Sequence, residues 1–192
     1  MNNTQQNLSL DIAISFHDNL IDPQKQSDKQ NFANIERYYA HDKIENILTN
    51  ILDYLNNNPD IILPNLPRAW LKKPLALDIY VTEASEARAI NFDARGKDYA
   101  TNILSYPGDL TPNFVEILPN LPLGELVVCH EVVVKQAHEQ QKSLDHHLTH
   151  LLVHGILHLM GFDHELGQQQ QDEMEQIEIA VLHHLGIANP YE

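Results

Sequence analysis

Apolar and polar positions alternate near the start of the chain, where Leu8, Leu10, Ile12, Ile14 and Phe16 are separated by Ser9, Asp11, Ala13 and Ser15. A period of two predicts a half-buried strand over 8–16. Asp22 to Asn31 is polar and aperiodic and reads as a loop. Ile44, Ile47, Leu48, Ile51, Leu52 and Leu55 then share one face of a helix that stops before Asn56-Asn57-Asn58-Pro59. Pro64, Pro67 and Pro74 punctuate a connector over 60–74, after which Leu75, Leu77, Ile79 and Val81 alternate as a second strand. A short helix is expected over 85–93, a strand over 102–106, and a surface loop over 109–123, which carries three prolines. Leu126 to Cys129 reads as a short buried strand with Cys129 in the core. Ser143 suits the N-cap of a helix running to about Met160, with Gly161 as its C′ stop. A last helix is expected over about 168–185, with Met174, Ile177, Val181 and Leu182 along one side. Strands interspersed with helices predict an α+β (mixed α/β) fold.

Composition narrows this further. The chain has 192 residues, 43% of them apolar, which suits a single domain with a core of useful size. Its 12 Lys+Arg against 27 Asp+Glu give a formal charge of −15, which argues against a wide electrostatic footprint on nucleic acid. Any nucleic-acid role must therefore use a local patch. The single cysteine cannot form an internal disulfide, and the first ten residues lack a basic stretch followed by an apolar one, so a reduced, cytoplasmic protein is expected. The longest stretch without Asp, Glu, Lys or Arg, 146–162, holds five histidines, so no membrane span is expected.

Most of the 12 histidines lie in the C-terminal third, where His146, His150, His154 and His158 recur every four residues. Composition alone yields about 0.75 such pairs, so His146, His147 and His150 are read as solvated or capped helix residues. His154-Gly-Ile-Leu-His158 is different, because Gly161 and His164 follow it in a pattern expected by chance only on the order of 0.002 times in this composition. One helical turn separates His154 from His158 by about 6 Å, a gap across which two imidazoles can converge on one ion. Gly161 can then turn the chain back to present His164 as a third ligand. Three neutral imidazoles with a fourth position left open describe a catalytic zinc site, one ion per chain, better than a structural one. The spacing resembles that of the metzincin helix, yet the residue after the first histidine is Gly155 where a general-base Glu would stand, which disfavours ordinary peptide-bond hydrolysis by that mechanism. Asp163 and Glu165 flank the third ligand, either orienting an imidazole or transferring a proton. Arg95-Gly96-Lys97-Asp98, placed between a helix and a strand, reads either as a charged turn or as a phosphate contact through the forked Arg95.

HGILHLMGFDHE (154–165), NFDARGKDYATNILSYP (91–107) and GELVVC (124–129) together resemble the bacterial YbeY family. The resemblance implies one domain over 1–192 in which a small sheet packs against several helices, with the metal-binding helix near the C-terminus and a polar insertion within 24–74. It implies a zinc-dependent, single-strand-specific endoribonuclease of 16S rRNA 3′-end maturation and ribosome quality control. His154, His158 and His164 would be the metal ligands and Arg95 would line the RNA groove as a catalytic residue. The implied partners are the 16S rRNA precursor and the 30S subunit or its proteins, with neither DNA nor a membrane involved. The alternatives are a metal-binding ribosome-assembly factor with little catalysis of its own, and a small-amide hydrolase, which Gly155 weakens.

Overall fold

The computed structural model describes residues 9–21, 33–64, 73–108, 117–164 and 167–192. The first alternating segment forms β1 (Leu10–Phe16), with Ile12 buried and Asp11, Ala13 and Ser15 exposed; Leu8 lies outside the described residues. The predicted amphipathic helix is α1 (His41–Asn57), and all six residues named for its apolar face are buried. β2 (Leu75–Thr82) runs parallel to β1, with Leu10 opposite Leu75 and Phe16 opposite Val81. α2 (Ala84–Arg95) outlasts the expected helix, so Arg95 belongs to its last turn and not to the loop after it. β3 (Ile103–Pro107) lies antiparallel to β4 (Leu121–Cys129), which in turn runs parallel to β2, giving the sheet order β1-β2-β4-β3.

β4 corrects the surface-loop reading of 109–123. Residues 121–123 are strand, and Leu121 and Leu123 are fully buried; residues 109–116 lie outside the described residues. The prolines misled because Pro122 precedes the stretch paired with β3, where no second ladder needs its missing N–H. Between Leu121 and Gly124 the register with β2 slips by one residue, a β-bulge. Gly124 takes φ +132° there, and a Cβ on it would stand 2.1 Å from the Tyr106 carbonyl oxygen.

Straight from β4 the chain enters α3 (His130–Glu139), a helix for which the residue pattern gives no signal. α4 (Leu144–Leu159) follows, capped as expected, with the Ser143 hydroxyl accepting from the His146 amide at 3.1 Å. α4 is buried on most of its circumference because it lies across β3 and β4 while α1, α3 and α5 (Gln168–His184) cover its other sides. The core therefore runs from the sheet through α4 to α1 and α5. Of the span 24–74, residues 24–32 and 65–72 lie outside the described residues, and α1 between them is a core element. Among the described residues no helix is long and apolar enough to cross a membrane.

Candidate metal centre

The end of α4 is built to return the chain. The Gly161 amide donates to the His158 carbonyl at 3.0 Å and the Phe162 amide to the Leu157 carbonyl at 3.1 Å, the hydrogen-bond pair of a Schellman stop. Gly161 supplies the required left-handed backbone, φ +94°, and Phe162 is buried as the apolar plug that such a stop favours. Two residues later His164 faces the helix it has just left. Its ring centroid lies 5.2 Å from that of His154 and 5.1 Å from that of His158, which are 4.5 Å from each other. One nitrogen from each of the three falls within 4.8 Å of the others, so the cluster could hold a metal ion.

The donor set fits one. Nε2 of His154 and Nε2 of His158 face each other at 3.1 Å, close to the edge of about 3.3 Å expected for two imidazoles sharing a tetrahedral ion. The other ring nitrogen of each has a partner. His158 has a backbone hydrogen bond with Phe162, while burial, followed by the neighbouring His154 and His164, pushes its pKa below the usual histidine value and favours the neutral ring. His154 Nδ1 lies 2.8 Å from Oε1 of Glu178. An ionised carboxylate only accepts, so His154 carries its proton on Nδ1 and turns a lone pair on Nε2 toward the cluster.

Glu178 has no counterpart among the residues singled out in the sequence. It is fully buried on α5 and also receives hydrogen bonds from His150 Nε2 at 3.2 Å and from the Tyr191 hydroxyl. Burial alone would raise its pKa, but the hydrogen bonds from His150, His154 and Tyr191 outweigh it and hold the carboxyl at about 2. Its sequence signal was available: it lies between Met174, Ile177, Val181 and Leu182 on the apolar face of α5, where an ionised side chain needs partners. The solvated reading of the upstream histidines holds only for His146, which is exposed. His150 is half-buried on Glu178, and His147 is buried with Nε2 3.3 Å from Gln136 and Nδ1 without a hydrogen-bond partner.

A groove of about 620 Å³ leads to the cluster and is lined by His154, His158, His164 and Asp163 together with Arg95, Lys97 and Tyr99. Arg88 grips Asp98 through two parallel bonds of 2.6 and 2.7 Å, so the acid of the Arg-Gly-Lys-Asp string is neutralised from outside the groove. Among the described residues, neither Arg95 nor Lys97 forms an ion pair, which leaves a cationic rim in an acidic chain. Asn91, itself buried, donates to the Tyr99 carbonyl at 2.9 Å and fixes the loop that holds the exposed Tyr99 ring beside that rim. Arg95 and the three histidines, singled out separately in the sequence, thus line one groove; Glu165 lies outside the described residues.

Gly155 turns toward the sheet. A Cβ there would meet Leu126 Cδ2 at 2.8 Å and Ile103 Cδ1 at 2.9 Å, so no side chain at this position, acid or otherwise, starts toward the cluster.

Comparison with known proteins shows the family. Residues 25–186 match the family described as Endoribonuclease YbeY. A protein of that name from Psychrobacter arcticus is 61% identical over 122 residues, 64% of this chain but only 59% of the relative's length. Its namesake from Psychrobacter cryohalolentis is 57% identical over 64% of this chain and 79% of its own. One from Acinetobacter baumannii is 42% identical over 69% of this chain and 84% of its own. A solution structure of a Thermotoga maritima protein superposes with TM-score 0.47 at 18% identity, covering 94% of this chain and 99% of that one, a likeness too weak to bear on function. The matched stretch contains the whole groove and its histidine cluster, and the chain belongs to the YbeY family.

Proposed function

We propose that this chain is a zinc-dependent endoribonuclease that cuts single-stranded RNA, acting in the cytoplasm on the 3′ end of precursor 16S rRNA and in ribosome quality control, with the 30S subunit or its proteins as partner. The observation that carries this reading is the juxtaposition of three convergent imidazoles with a cationic rim in one groove. An all-imidazole donor set without a cysteine to close it favours zinc with an open coordination position. His154, His158 and His164 would hold the ion, which would supply Lewis-acid charge at the phosphoryl group.

The chain's own residues supply the rest. Arg95 holds the scissile phosphate with its fork and offsets the charge that develops on it, and Lys97 takes a neighbouring phosphate as a point charge. The exposed ring of Tyr99 offers a face to an unstacked base, which accounts for a preference for single strands. Asp163 is the carboxylate among the groove's described lining residues, and its part is to orient an imidazole or to take the proton of the attacking hydroxyl.

The test is zinc content by elemental analysis, together with cleavage of an rRNA fragment bearing a single-stranded tail. Wild type should hold about one zinc and cut the tail, and His158→Ala should lose both. Arg95→Ala should keep its zinc and cut roughly 10²-fold more slowly. Cleavage that persists at the wild-type rate in zinc-free His158→Ala would sink the nuclease assignment and favour the assembly-factor reading.

A further inference from the structure

We propose that the C-terminal tail is a working part of the metal centre: Tyr191, acting through Glu178, fixes the ring orientation and tautomer of His154 and so sets the affinity of the three-histidine site. The inference rests on the reading of those histidines as metal ligands.

Glu178 is where three pieces of chain meet. Its Oε1 takes the proton of His154 Nδ1 at 2.8 Å, while its Oε2 is shared by His150 Nε2 at 3.2 Å and the Tyr191 hydroxyl. Two of these donors come from α4 and the third from beyond the end of α5, so the tail completes the hydrogen bonding of a carboxylate that has no access to water. Tyr191 is 47% exposed while its hydroxyl reaches inward to Glu178, which packing alone does not explain, since a phenylalanine would occupy the same surface.

Two contacts from outside the tail and one turn within it hold it for this contact. Lys142 Nζ donates to the Pro190 carbonyl at 2.7 Å, tying the tail to the turn between α3 and α4. The Tyr191 amide donates to Asn189 Oδ1 at 3.1 Å, a side-chain turn that sets the direction of the tyrosine. The Tyr191 ring meets the His150 ring edge-on, 5.7 Å between centroids and 81° between planes. Without the hydroxyl, Oε2 would keep only the longer bond to His150, and the carboxylate would be free to swing toward it and away from His154. Residues of this kind act by holding a metal-bound imidazole in one tautomer and one orientation. Both Tyr191 and Glu178 are therefore positioning residues.

The deciding measurement is zinc affinity by competition with a chromophoric chelator, made on the full chain as wild type, Tyr191→Phe and Glu178→Gln. Alongside it, the nitrogen chemical shifts of His154 report its tautomer, and urea unfolding of the zinc-free proteins reports stability. Glu178→Gln should weaken zinc binding about 10- to 100-fold, and Tyr191→Phe on the order of tenfold, the lower end of what loss of an outer partner costs. His154 should change from a single Nδ1–H tautomer to a mixture, with the urea midpoint of Tyr191→Phe unchanged. Wild-type zinc affinity and an unchanged His154 tautomer in Tyr191→Phe would overturn the proposal. So would a loss of affinity that only tracks a loss of stability. Should Glu178→Gln fail to fold, Tyr191→Phe decides alone. A wild-type chain that takes up no zinc would overturn the ligand reading itself.

Discussion

Gly155 stands where the metzincin helix carries its general base, and the fold gives a packing reason for the glycine. Its Cα faces the side chains of Leu126 and Ile103, and Ser105 Oγ, 3.3 Å from where a Cβ would lie, donates to its carbonyl. α4 lies close against the sheet here, and that spacing sets how far the helix carries His154 and His158 toward the groove. Gly155→Ala should accordingly destabilise the protein by about 1 kcal/mol. Overpacking costs roughly 1–3 kcal/mol, and the gain in helix propensity returns about 1 kcal/mol. Gly155→Glu would bury an unpaired carboxylate as well and should prevent folding. Urea unfolding checks the first of these, and an alanine variant more stable than wild type would show that the contact is loose. The same geometry sharpens the argument against peptide hydrolysis by the metzincin route: the base is missing from its place on the helix, and that position could not deliver one.

Elements were legible where local pattern and tertiary role coincide. The apolar face of α1, the alternation of β2 and the caps of α4 all follow from spacing and from single residues such as Ser143 and Gly161. α3 was not legible because nothing local announces it. It starts straight from β4 with no side-chain cap, and its Val132-Val133-Val134 run favours a strand; burial of Val133 and Ala137 overrides that preference. At the start of α3, His130 is 8% exposed and has Nδ1 3.0 Å from the Tyr39 hydroxyl. Burial pushes its pKa down to about 4, so the folded state keeps it neutral where the unfolded chain, near 6.5, binds a proton. Its contribution is complete above about pH 6.5 and is lost as pH falls toward 4, up to about 3 kcal/mol in all. The stability of His130→Asn should therefore vary less steeply than wild type between those values. Parallel curves would mean that His130 titrates alike in both states. The histidine cluster was legible because its members sit on one helix and its stop, whereas Glu178 and Tyr191 reach it from α5 and the tail, where sequence spacing carries no information about His154.

At the scale of the whole molecule, the proposed function asks a chain of charge −15 to accommodate a polyanion. The structure localises the problem: Arg88 ties up Asp98, no Lys or Arg follows Lys142, and among the described residues the groove's cations are Arg95 and Lys97. Two phosphate contacts on a single strand release few counterions, so the logarithm of RNA affinity should fall against the logarithm of salt with a slope of about −1.4. Lys97→Ala should reduce that slope by about 0.7, and binding measured under chelator, so that the strand is not cut, gives both values. A wild-type slope of −4 or steeper would reveal a second basic surface and remove the reason for expecting a partner. A shallow slope has the opposite meaning. Two cations neither bind RNA tightly nor distinguish one single strand from another, and a net charge of −15 repels phosphates beyond the groove. Selection of a substrate must then come from a partner that delivers the strand, the role we propose for the 30S subunit or its proteins, and cleavage of the same RNA should be faster within that particle than free in solution.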